Sequence, residues 1–413
     1  MKRILGVHMR NIALIGIGMG YAGGLTLEAQ AFIQKADLLI GAERMLNSET
    51  AAMAAQAAIR VKAYLPADVR TVITKHPEAD RIAVLLSGDT GFYSGAEKLL
   101  GVLPQGVRVM PGISCVSYFC SRVHRSWQEI HLVSLHGNQE NIVGEVLYHP
   151  HTFAILGSRE GVSDVCSSLE KFGLGEAGIT IGCDFGMPTE QILTGCPKEF
   201  IGKAFSALSV ILIDRPVLSP DPEVWRTGSV PDTAFIRGKV PMTKEEVRTA
   251  SLAHLQLTPD AVVYDIGAGT GSVTVCAALR AYRGQVFAIE QKPEAVELIR
   301  QNALKFHAAN VHVIAGTAPE ALQGLPAPTH VFVGGSGGML GEIVHQVVTA
   351  NPSVRIVINA VTLETLSAAL NALKENGLTD PDVVCLSAAR SIKAGRYHLM
   401  HGEDPVYILT AEA

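Results

Sequence analysis

The sequence predicts an α/β protein built from two domains in tandem. Short apolar runs alternate with longer amphipathic stretches along the whole chain, as expected for strands and helices that pack in layers. Its 413 residues exceed what one hydrophobic core usually serves, because cores stop growing near roughly 250–300 residues. Residues 214–234 carry four prolines and no sustained period. We therefore predict domains at 9–215 and 236–413, joined by a linker at 216–235.

The first domain is predicted to hold seven buried strands separated by amphipathic helices, for example at 25–35 and 161–172. The strands are predicted at 11–16, 37–41, 81–86, 130–134, 152–156, 178–183 and 207–213. Lys2 and Arg3 precede a short apolar stretch, and we interpret residues 1–10 as an extension before the first strand rather than a signal peptide.

The second domain is predicted to begin with a helix at 243–256, with Thr243 as N-cap and Glu245 and Glu246 in the first turn. Strands are predicted at 262–266, 285–290, 311–315, 329–334, 353–359, 382–388 and 405–410, and helices near 271–282, 293–306, 338–350 and 362–376. The last two strands are joined without a helix. This predicts a seven-stranded parallel sheet with an antiparallel edge.

Composition narrows the function classes. The chain is 48% hydrophobic and 18% charged, which is typical of a soluble globular protein. Its formal net charge of −5 lacks the basic excess of a nucleic-acid binder, and no apolar run reaches the ~18–20 residues of a membrane span. The seven cysteines contain no C-x-x-C pair. We expect reduced thiols, no bound metal, a cytoplasmic location, and neither nucleic acid nor membrane as partner.

The strongest motif is VVYDIGAGTGSVTV at 262–275, where a buried strand ending at Asp265 runs into a glycine-rich turn. Glycines allow the main chain to approach a ligand closely, and the carboxyl end of the first strand is where such sheets bind ligands. The second strand ends at Glu290, an acid suited to ribose hydroxyls. The third glycine of the dinucleotide fingerprint is missing, so the pattern favours a nucleoside site without a diphosphate.

The fourth strand ends in VGGSGG at 333–338. Methyltransferases that act on base amines commonly carry a Pro-Pro-aromatic motif at this strand end, and this chain has none. The glycines either leave space for a broad flat substrate or form a loop that is merely flexible.

From about residue 236 to 413 the chain resembles the precorrin methyltransferase/decarboxylase domain of the class I, Rossmann-like methyltransferase fold. The resemblance rests on PMTKEEVR (241–248), DIGAGTGSVTV (265–275), AIEQKPEAVELI (288–299), GTAPEAL (316–322), VFVGGSGGML (331–340) and NAVTLET (359–365). It implies S-adenosylmethionine as cofactor. The residues that would bind it are Thr243, Asp265, Gly267, Ala268, Gly269, Thr270, Gly271, Glu290 and Ala318.

Four motifs of the first half resemble, in order, those of the tetrapyrrole methylase family, a two-lobed class III methyltransferase fold. They are IALIGIGMG (12–20), LLSGDTGFYSGAEKLL (85–100), VMPGISCVSYFCSR (109–122) and DFGMPTEQI (184–192). Thr90 and Cys115 depart from the family's usual proline and serine. The resemblance implies a second S-adenosylmethionine site, in a cleft lined by Gly16, Gly18, Gly88, Asp89, Ser117 and Leu156. Asp89 has an alternative interpretation, as the cap of the helix that follows it.

Together the two resemblances imply cobalamin biosynthesis. They imply methylation of a tetrapyrrole at carbon 5 by the first domain, and methylation at carbon 15 with decarboxylation of the carbon-12 acetate by the second. The resemblance leaves open whether the tetrapyrrole carries cobalt. Both families tend to self-associate, so we expect a homo-oligomer.

Decarboxylation needs a proton donor, for which Tyr397, His398 and Glu364 are candidates. Each is equally compatible with an ordinary surface, packing or capping role. The segment ARSIKAGRYHLMHG (389–402) either folds over the substrate or forms a solvated hairpin. In the first case Arg390, Lys393 and Arg396 would pair with substrate carboxylates.

Three other functions compete with this one. The chain could be a nicotinamide-dependent dehydrogenase built on two Rossmann-like halves, or a nucleic-acid or protein methyltransferase that uses only its second domain. It could also be a fusion whose first half binds substrate without catalysis.

Overall fold

The computed structural model describes residues 10–136, 140–157 and 161–412. Most of the extension predicted at 1–10 lies outside the described residues. Within the described ranges, no helix has both the length and the apolar character needed to span a membrane.

The first lobe is a five-stranded, all-parallel sheet in the order β3-β2-β4-β1-β5. Its strands are β1 (Asn11–Gly16), β2 (Leu38–Gly41), β3 (Ile59–Lys62), β4 (Arg81–Leu86) and β5 (Arg108–Met110). Its helices are α1 (Leu27–Gln34), α2 (Glu43–Leu46), α3 (Glu49–Ala52), α4 (Pro66–Lys75) and α5 (Ala96–Leu100). The sequence-based prediction missed β3 and β5. Both are edge strands with mostly exposed side chains, so they lack an apolar run.

Helix α6 (Cys115–Arg122) leads into a second lobe, whose sheet is mixed and ordered β6-β7-β10-β8-β9. Its strands are β6 (His131–Ser134), β7 (His151–Ile155), β8 (Gly178–Cys183), β9 (Gln191–Gly195) and β10 (Ser209–Asp214). Its helices are α7 (Ile142–Tyr148), α8 (Val162–Lys171) and α9 (Pro197–Phe200). The prediction missed β9, an edge strand that is exposed along nearly its whole length.

The predicted linker contains a short helix, α10 (Pro222–Thr227), and a 3₁₀ turn at Asp232–Ala234. The third sheet follows. Its helices are α11 (Glu245–Leu255), α12 (Ser272–Arg280), α13 (Pro293–Lys305), α14 (Leu340–Ala350) and α15 (Leu363–Glu375). Its strands are β11 (Val262–Ile266), β12 (Gln285–Glu290), β13 (Val311–Ala315), β14 (His330–Val333), β15 (Arg355–Ala360), β16 (Asp382–Leu386) and β19 (Val406–Glu412). Between the last two, β17 (Ala389–Ala394) and β18 (Tyr397–Gly402) form a separate two-stranded hairpin.

The seven strands run in the order β13-β12-β11-β14-β15-β19-β16, which confirms the predicted sheet. The prediction of an antiparallel edge was wrong in one respect. The antiparallel strand β19 pairs with β15 on one side and with β16 on the other, so it lies one position inside the edge. After β15 and α15 the chain forms the edge strand β16 and then the hairpin of β17 and β18. The last strand, β19, lies between β15 and β16.

Helix α11 corrects the predicted N-cap. The cap position belongs to Lys244, which makes no capping side-chain bond, and the helix begins at Glu245. The main-chain carbonyl of Thr243 instead accepts a 2.6 Å bond from the Arg248 guanidinium. Thr243 therefore precedes the cap position, and its main chain is held by the bond from the buried Arg248.

Arg248 fastens the linker to the second domain, and it is 1% exposed. Its guanidinium donates to the Val230 carbonyl and, at 3.1 Å, to the Asp232 carboxylate. Its Cζ lies 4.8 Å from the centroid of the Phe235 ring. A buried guanidinium is tolerated only when its donors are bonded, and here the linker supplies the acceptors.

The two domains touch through α7. The Tyr148 hydroxyl donates to the Leu279 carbonyl (3.1 Å), and the Asn141 amide donates to the Tyr282 carbonyl (2.9 Å). The Arg226 guanidinium lies 5.2 Å from the Tyr148 ring and 5.8 Å from the Tyr282 ring. Helix α10 thus sits beside both domains, and part of the predicted linker belongs to their interface.

We predict that Arg248→Leu lowers the free energy of unfolding by about 3–5 kcal/mol, because it leaves the Asp232 carboxylate without its buried partner. Urea unfolding of the full chain measures the change. Arg300→Leu is the control, since this exposed arginine lies 3.9 Å from Glu297 and should change stability by less than about 0.5 kcal/mol. Equal stability of the two variants would contradict the assignment.

Candidate functional site

A cavity of about 1130 Å³ opens at the carboxyl ends of β11, β12, β14 and β15. Strand-end crevices of this kind are the usual ligand sites of parallel α/β sheets. Its wall includes the loop before α11, the glycine turn after β11, the ends of β12 and β15, the loop after β13, the VGGSGG segment after β14, and residues 401–404 and 406. The cavity is therefore assembled from segments that lie far apart in the chain.

The glycine turn brings main chain against main chain. Gly267, Gly269 and Gly271 all have positive φ, at 74°, 56° and 76°. A Cβ on Gly267 would lie 2.6 Å from the Gly335 carbonyl oxygen, which no real side chain tolerates. The turn can therefore close against the end of β14 only with glycine, and Ala268 and Thr270 complete its cavity-facing wall.

Glu290 is the acid in the cavity wall, and it is 8% exposed. Its carboxylate accepts three main-chain N–H bonds of 2.9 Å, from Gly269, Gln291 and Lys292. These bonds hold both oxygens in place. A carboxylate in this position can still accept bonds from ligand hydroxyls, because each oxygen has more than one acceptor site.

Asp265 lies behind the turn and does not form part of the cavity wall. The Thr274 hydroxyl donates to its Oδ2 at 2.5 Å, while Oδ1 has no hydrogen-bond partner among the described residues. Burial raises the pKa of this carboxyl to about 7. In the same described region the Thr270 hydroxyl is also buried without a partner, and it faces the cavity.

Thr243 and Ala318 line the cavity, together with Gly334, Gly335 and Gly337 of the VGGSGG segment. A Cβ on Gly337 would meet nothing within 4 Å. Space for a broad flat substrate at this wall stays a prediction.

The candidate proton donors lie apart from this wall as the described residues bound it. Tyr397 and His398 are on β18, which is exposed along its whole length. Glu364 occupies the first turn of α15, where Thr362 is the side-chain cap. Sequence reasoning missed three cavity residues: His401 near the end of β18, and Glu403 and Asp404 directly after it. No local pattern marks the point where a hairpin turns back toward a sheet.

The basic residues of the hairpin are also placed outside the cavity wall. Arg390 already pairs with protein acids, at 2.7 Å from Glu246 and 3.9 Å from Glu403. The Arg396 guanidinium lies 5.0 Å from the Tyr397 ring, and Lys393 is exposed on β17. The strands at 389–402 form a hairpin with mostly exposed side chains, whose end at His401 and Gly402 reaches the cavity wall. Arg390 pairs with Glu246 of α11 at the base of the hairpin.

Glycine motifs of the first domain meet at the end of β1. Gly18 and Gly88 form an isolated antiparallel bridge, and a Cβ on Gly112 would lie 2.3 Å from the Gly88 carbonyl oxygen and 2.5 Å from that of Gly16. Three of the four motifs therefore meet main chain to main chain. Only glycine allows this approach at Gly112.

Asp89 connects the motif at 85–100 to the motif at 109–122 through main-chain hydrogen bonds. It does not cap α5, whose N-cap is Gly95. Its carboxylate accepts from the Gly112 N–H at 3.0 Å and from the Gly91 N–H at 2.8 Å. Ser117 lies in the first turn of α6, directly after the Gly112 turn, and its N–H donates to the Ser114 hydroxyl. Leu156 follows the end of β7 in the second lobe and is buried.

The fourth motif connects the second lobe to the first. A Cβ on Gly186 would lie 2.8 Å from the Met19 carbonyl oxygen, so this turn touches the loop after β1. The Glu190 carboxylate accepts 2.8 Å bonds from the Tyr118 hydroxyl and the Gly186 N–H, and it pairs with Arg122 at 3.2 Å. The four motifs thus lie together where the two lobes meet.

Comparisons with known proteins agree with the resemblance of each half of the chain. A family described as Tetrapyrrole (Corrin/Porphyrin) Methylases matches residues 11–200, and one described as Precorrin methyltransferase domain matches residues 233–412. A crystal structure titled Precorrin-6y C5,15-methyltransferase, from Geobacter metallireducens, is 42% identical and covers 45% of this chain and 96% of its own, with a TM-score of 0.43.

Two curated relatives cover different shares of the chain. A probable decarboxylating cobalt-precorrin-6B C(15)-methyltransferase of Pyrobaculum calidifontis is 44% identical over 192 residues, which are 46% of this chain and 98% of the relative. A decarboxylating precorrin-6Y C(5,15)-methyltransferase of a Sinorhizobium species is 28% identical over 356 residues, 86% of this chain and 85% of the relative. With the two family matches, these relatives show that the chain belongs to the decarboxylating precorrin methyltransferases, as a tetrapyrrole methylase domain followed by a class I methyltransferase domain.

Proposed function

We propose that the chain converts precorrin-6B (precorrin-6Y) to precorrin-8 in cobalamin biosynthesis, the reaction class named for its Sinorhizobium relative. In this proposal the first domain methylates carbon 5. The second domain methylates carbon 15 and decarboxylates the carbon-12 acetate. The observation that carries the proposal is the strand-end cavity of the second domain, whose wall contains the glycine turn and Glu290. In the first domain, three glycine motifs meet by close main-chain contacts at the end of β1.

S-adenosylmethionine is the methyl donor of this enzyme class, and its sulfonium makes the methyl group electrophilic. The residues of the second domain's cavity fit it: Glu290 offers a fixed carboxylate to a ribose, and the glycine turn brings main chain to the cavity wall. We assign this site to Thr243, Ala318, Glu290 and the turn Gly267–Gly271, with Asp265 supporting the turn from behind. A second site is assigned to Gly16, Gly18, Gly88, Asp89, Ser117 and Leu156.

Methyl transfer asks mainly for alignment. An electron-rich meso carbon of the macrocycle needs only to face the methyl group in line, in a site that excludes water. Positioning of this kind can lower a barrier by roughly 7–11 kcal/mol. The glycine wall at Gly334–Gly338 leaves space for a flat macrocycle, and Lys244 and Lys292 in the cavity wall are suited to its carboxylates.

Decarboxylation requires a proton as well as a site. The bond from the acetate carbon to its carboxyl carbon breaks, the electron pair enters the conjugated imine of the ring, and carbon dioxide leaves. A proton must then reach the exocyclic carbon. His401 lies in the cavity wall and belongs to the residue type that exchanges protons near neutral pH, so we propose it as the donor ahead of His398, Tyr397 and Glu364.

Other parts of the interpretation stay predictions. The cobalt-containing form of the substrate is the alternative, since the Pyrobaculum relative is named for it. Self-association and a cytoplasmic location are expected from the sequence alone. Membership in a precorrin methyltransferase family argues against the dehydrogenase and nucleic-acid alternatives.

The central test is the reaction itself. The full chain is incubated with S-adenosylmethionine and either hydrogenated precorrin or its cobalt form, and mass spectrometry follows the products. We expect two added methyl groups and one lost carboxyl. Glu290→Gln should raise the KM for S-adenosylmethionine at the second domain about 10- to 100-fold, because it loses charge-assisted hydrogen bonds, and leave a singly methylated product that keeps its carboxyl.

Glu294→Gln is the matched control for this variant, because Glu294 is an exposed acid in the first turn of α13. It should behave as the parent chain. If Glu290→Gln still adds two methyl groups with an unchanged KM, Glu290 does not hold the cofactor. If the parent chain adds none to either substrate, the proposed function is wrong.

A second prediction separates methylation from decarboxylation. His401→Gln should still add both methyl groups but lose carbon dioxide at least about tenfold more slowly, because general acids contribute roughly 10²–10⁴-fold. His398→Gln is the control, on the same hairpin but outside the cavity wall. Decarboxylation that depends on His398 and not on His401 would reverse our assignment.

A third prediction concerns Asp265, whose pKa is raised from 3.8 to about 7 by burial. Between these two values the native carboxyl keeps a proton that the unfolded one has released, so the free energy of unfolding falls as pH rises. Asp265→Asn removes this loss. The stability of Asp265→Asn relative to the parent should therefore grow by about 1.4 kcal/mol per pH unit across that window.

Urea unfolding at several pH values between about pH 5 and about pH 8 measures this difference. Asp260→Asn is the control, since Asp260 is exposed and pairs with Arg283 at the surface. A difference between Asp265→Asn and the parent that does not change with pH would mean that Asp265 is ionised throughout.

A further inference from the structure

Three side chains of metal-ligating type lie together in the second lobe of the first domain. His131 is the first residue of β6, Glu145 lies in α7, and His149 directly follows that helix. One donor atom from each lies within 4.8 Å of the other two. Glu145 and His149 are an i,i+4 pair at the end of α7, and His131 reaches them from β6.

Glu145 is the member of this cluster that most needs a positive partner, because it is only 2% exposed. Its carboxylate lies 2.8 Å from Nε2 of His131 and 3.5 Å from Nδ1 of His149. Across the described ranges, no lysine or arginine comes within 4.0 Å of it. A buried carboxylate is costly unless a cation balances it, so the balancing charge must reach it through the two imidazoles or lie between them.

The two imidazoles lie face to face, with ring centroids 3.6 Å apart and an interplanar angle of 6°. Two protonated rings in this arrangement would repel each other strongly, so the stack does not suit a pair of imidazolium ions. The main-chain carbonyl of Glu145 lies 2.8 Å from Nδ1 of His149 and holds that ring beside the carboxylate. Both rings are 29% exposed, so an ion can reach them from solvent.

The cluster is separate from the cofactor crevice. His131 pairs with Thr152 at the start of β7, whereas Leu156 lies beyond the other end of that strand. Four residues of strand span roughly 13 Å at about 3.3 Å per residue. The proposed ligands are therefore distinct from Leu156, the second-lobe residue of the assigned cofactor site.

We propose that His131, Glu145 and His149 form a binding site for one zinc ion, with water in the remaining coordination position. Two imidazoles and one carboxylate are a ligand set that zinc accepts in proteins, and a borderline divalent ion also supplies the positive charge that Glu145 lacks. Binding requires each ring to turn about its Cβ–Cγ bond until one nitrogen of each faces the ion. Both rings lie at the surface, so this movement displaces no core side chain.

The site has a structural consequence. Helix α7 carries Glu145 on the side that faces β6, and its N-cap residue Asn141 bonds the second domain at the Tyr282 carbonyl. A bound ion would tie α7 to β6 next to this contact. We infer that zinc stiffens the helix through which the first domain holds the second.

The test uses the full chain after treatment with a chelator. Isothermal titration with zinc chloride should give one equivalent bound, and cobalt(II) in its place should give the visible absorption of a four- or five-coordinate ion. His131→Ala and His149→Ala should each weaken zinc binding at least about tenfold, because each removes one of three protein ligands. Zinc should also raise the melting temperature of the parent chain and not of these variants.

His76→Ala is the matched control, because His76 lies 2.9 Å from Glu78 in a half-buried pair without a third ligand. It should bind zinc as the parent does. Glu145→Gln, which preserves the side-chain size, serves if a histidine variant fails to fold by circular dichroism. The proposal is overturned if the parent chain binds no zinc, or if binding is unchanged in the cluster variants.

Discussion

Both proposed cofactor crevices depend on one constraint, the contact of main chain with main chain at the carboxyl ends of parallel strands. In the first domain Gly112 meets the carbonyls of Gly16 and Gly88, and in the second Gly267 meets Gly335. A single Cβ at Gly112 or Gly267 would separate loops that must touch. Because no side chain separates the loops, their N–H groups can bond a nearby acid. The Gly112 N–H donates to Asp89, and the Gly269 N–H donates to Glu290.

Each of these loops is accompanied by buried or partly buried carboxylates, Asp89 in the first domain and Asp265 and Glu290 in the second. The Asp89 and Glu290 carboxylates accept main-chain N–H bonds that fix their positions. Asp265 is fully buried and accepts a bond from the Thr274 hydroxyl, and burial raises its pKa to about 7. The acids at the neighbouring ends of β11 and β12 thus differ in their surroundings, because Glu290 lies in the cavity wall and Asp265 behind it.

The linker has a physical role beyond connection. Asp232 and Val230 satisfy the buried guanidinium of Arg248, whose remaining bond reaches the carbonyl of Thr243 in the cavity wall. Helix α10 places Arg226 over aromatic rings of both domains. The linker therefore also shapes one wall of the cavity in the second domain. This gives a structural reason for fusing two methyltransferase domains in one chain.

The sequence by itself determined the α/β class, the strands that are buried, and the glycine and acid motifs, because apolar periodicity and positive-φ turns are local properties. It could not determine the edge strands β3, β5 and β9, whose exposed side chains carry no pattern, nor the insertion of β19 inside the sheet edge. Only tertiary packing decided that the Thr243 carbonyl accepts a bond from Arg248, and that His401 and not His398 lies in the cavity wall. Packing also decided that His131 lies beside Glu145 and His149. Each of these contacts joins residues through the way distant elements pack, which local sequence does not encode.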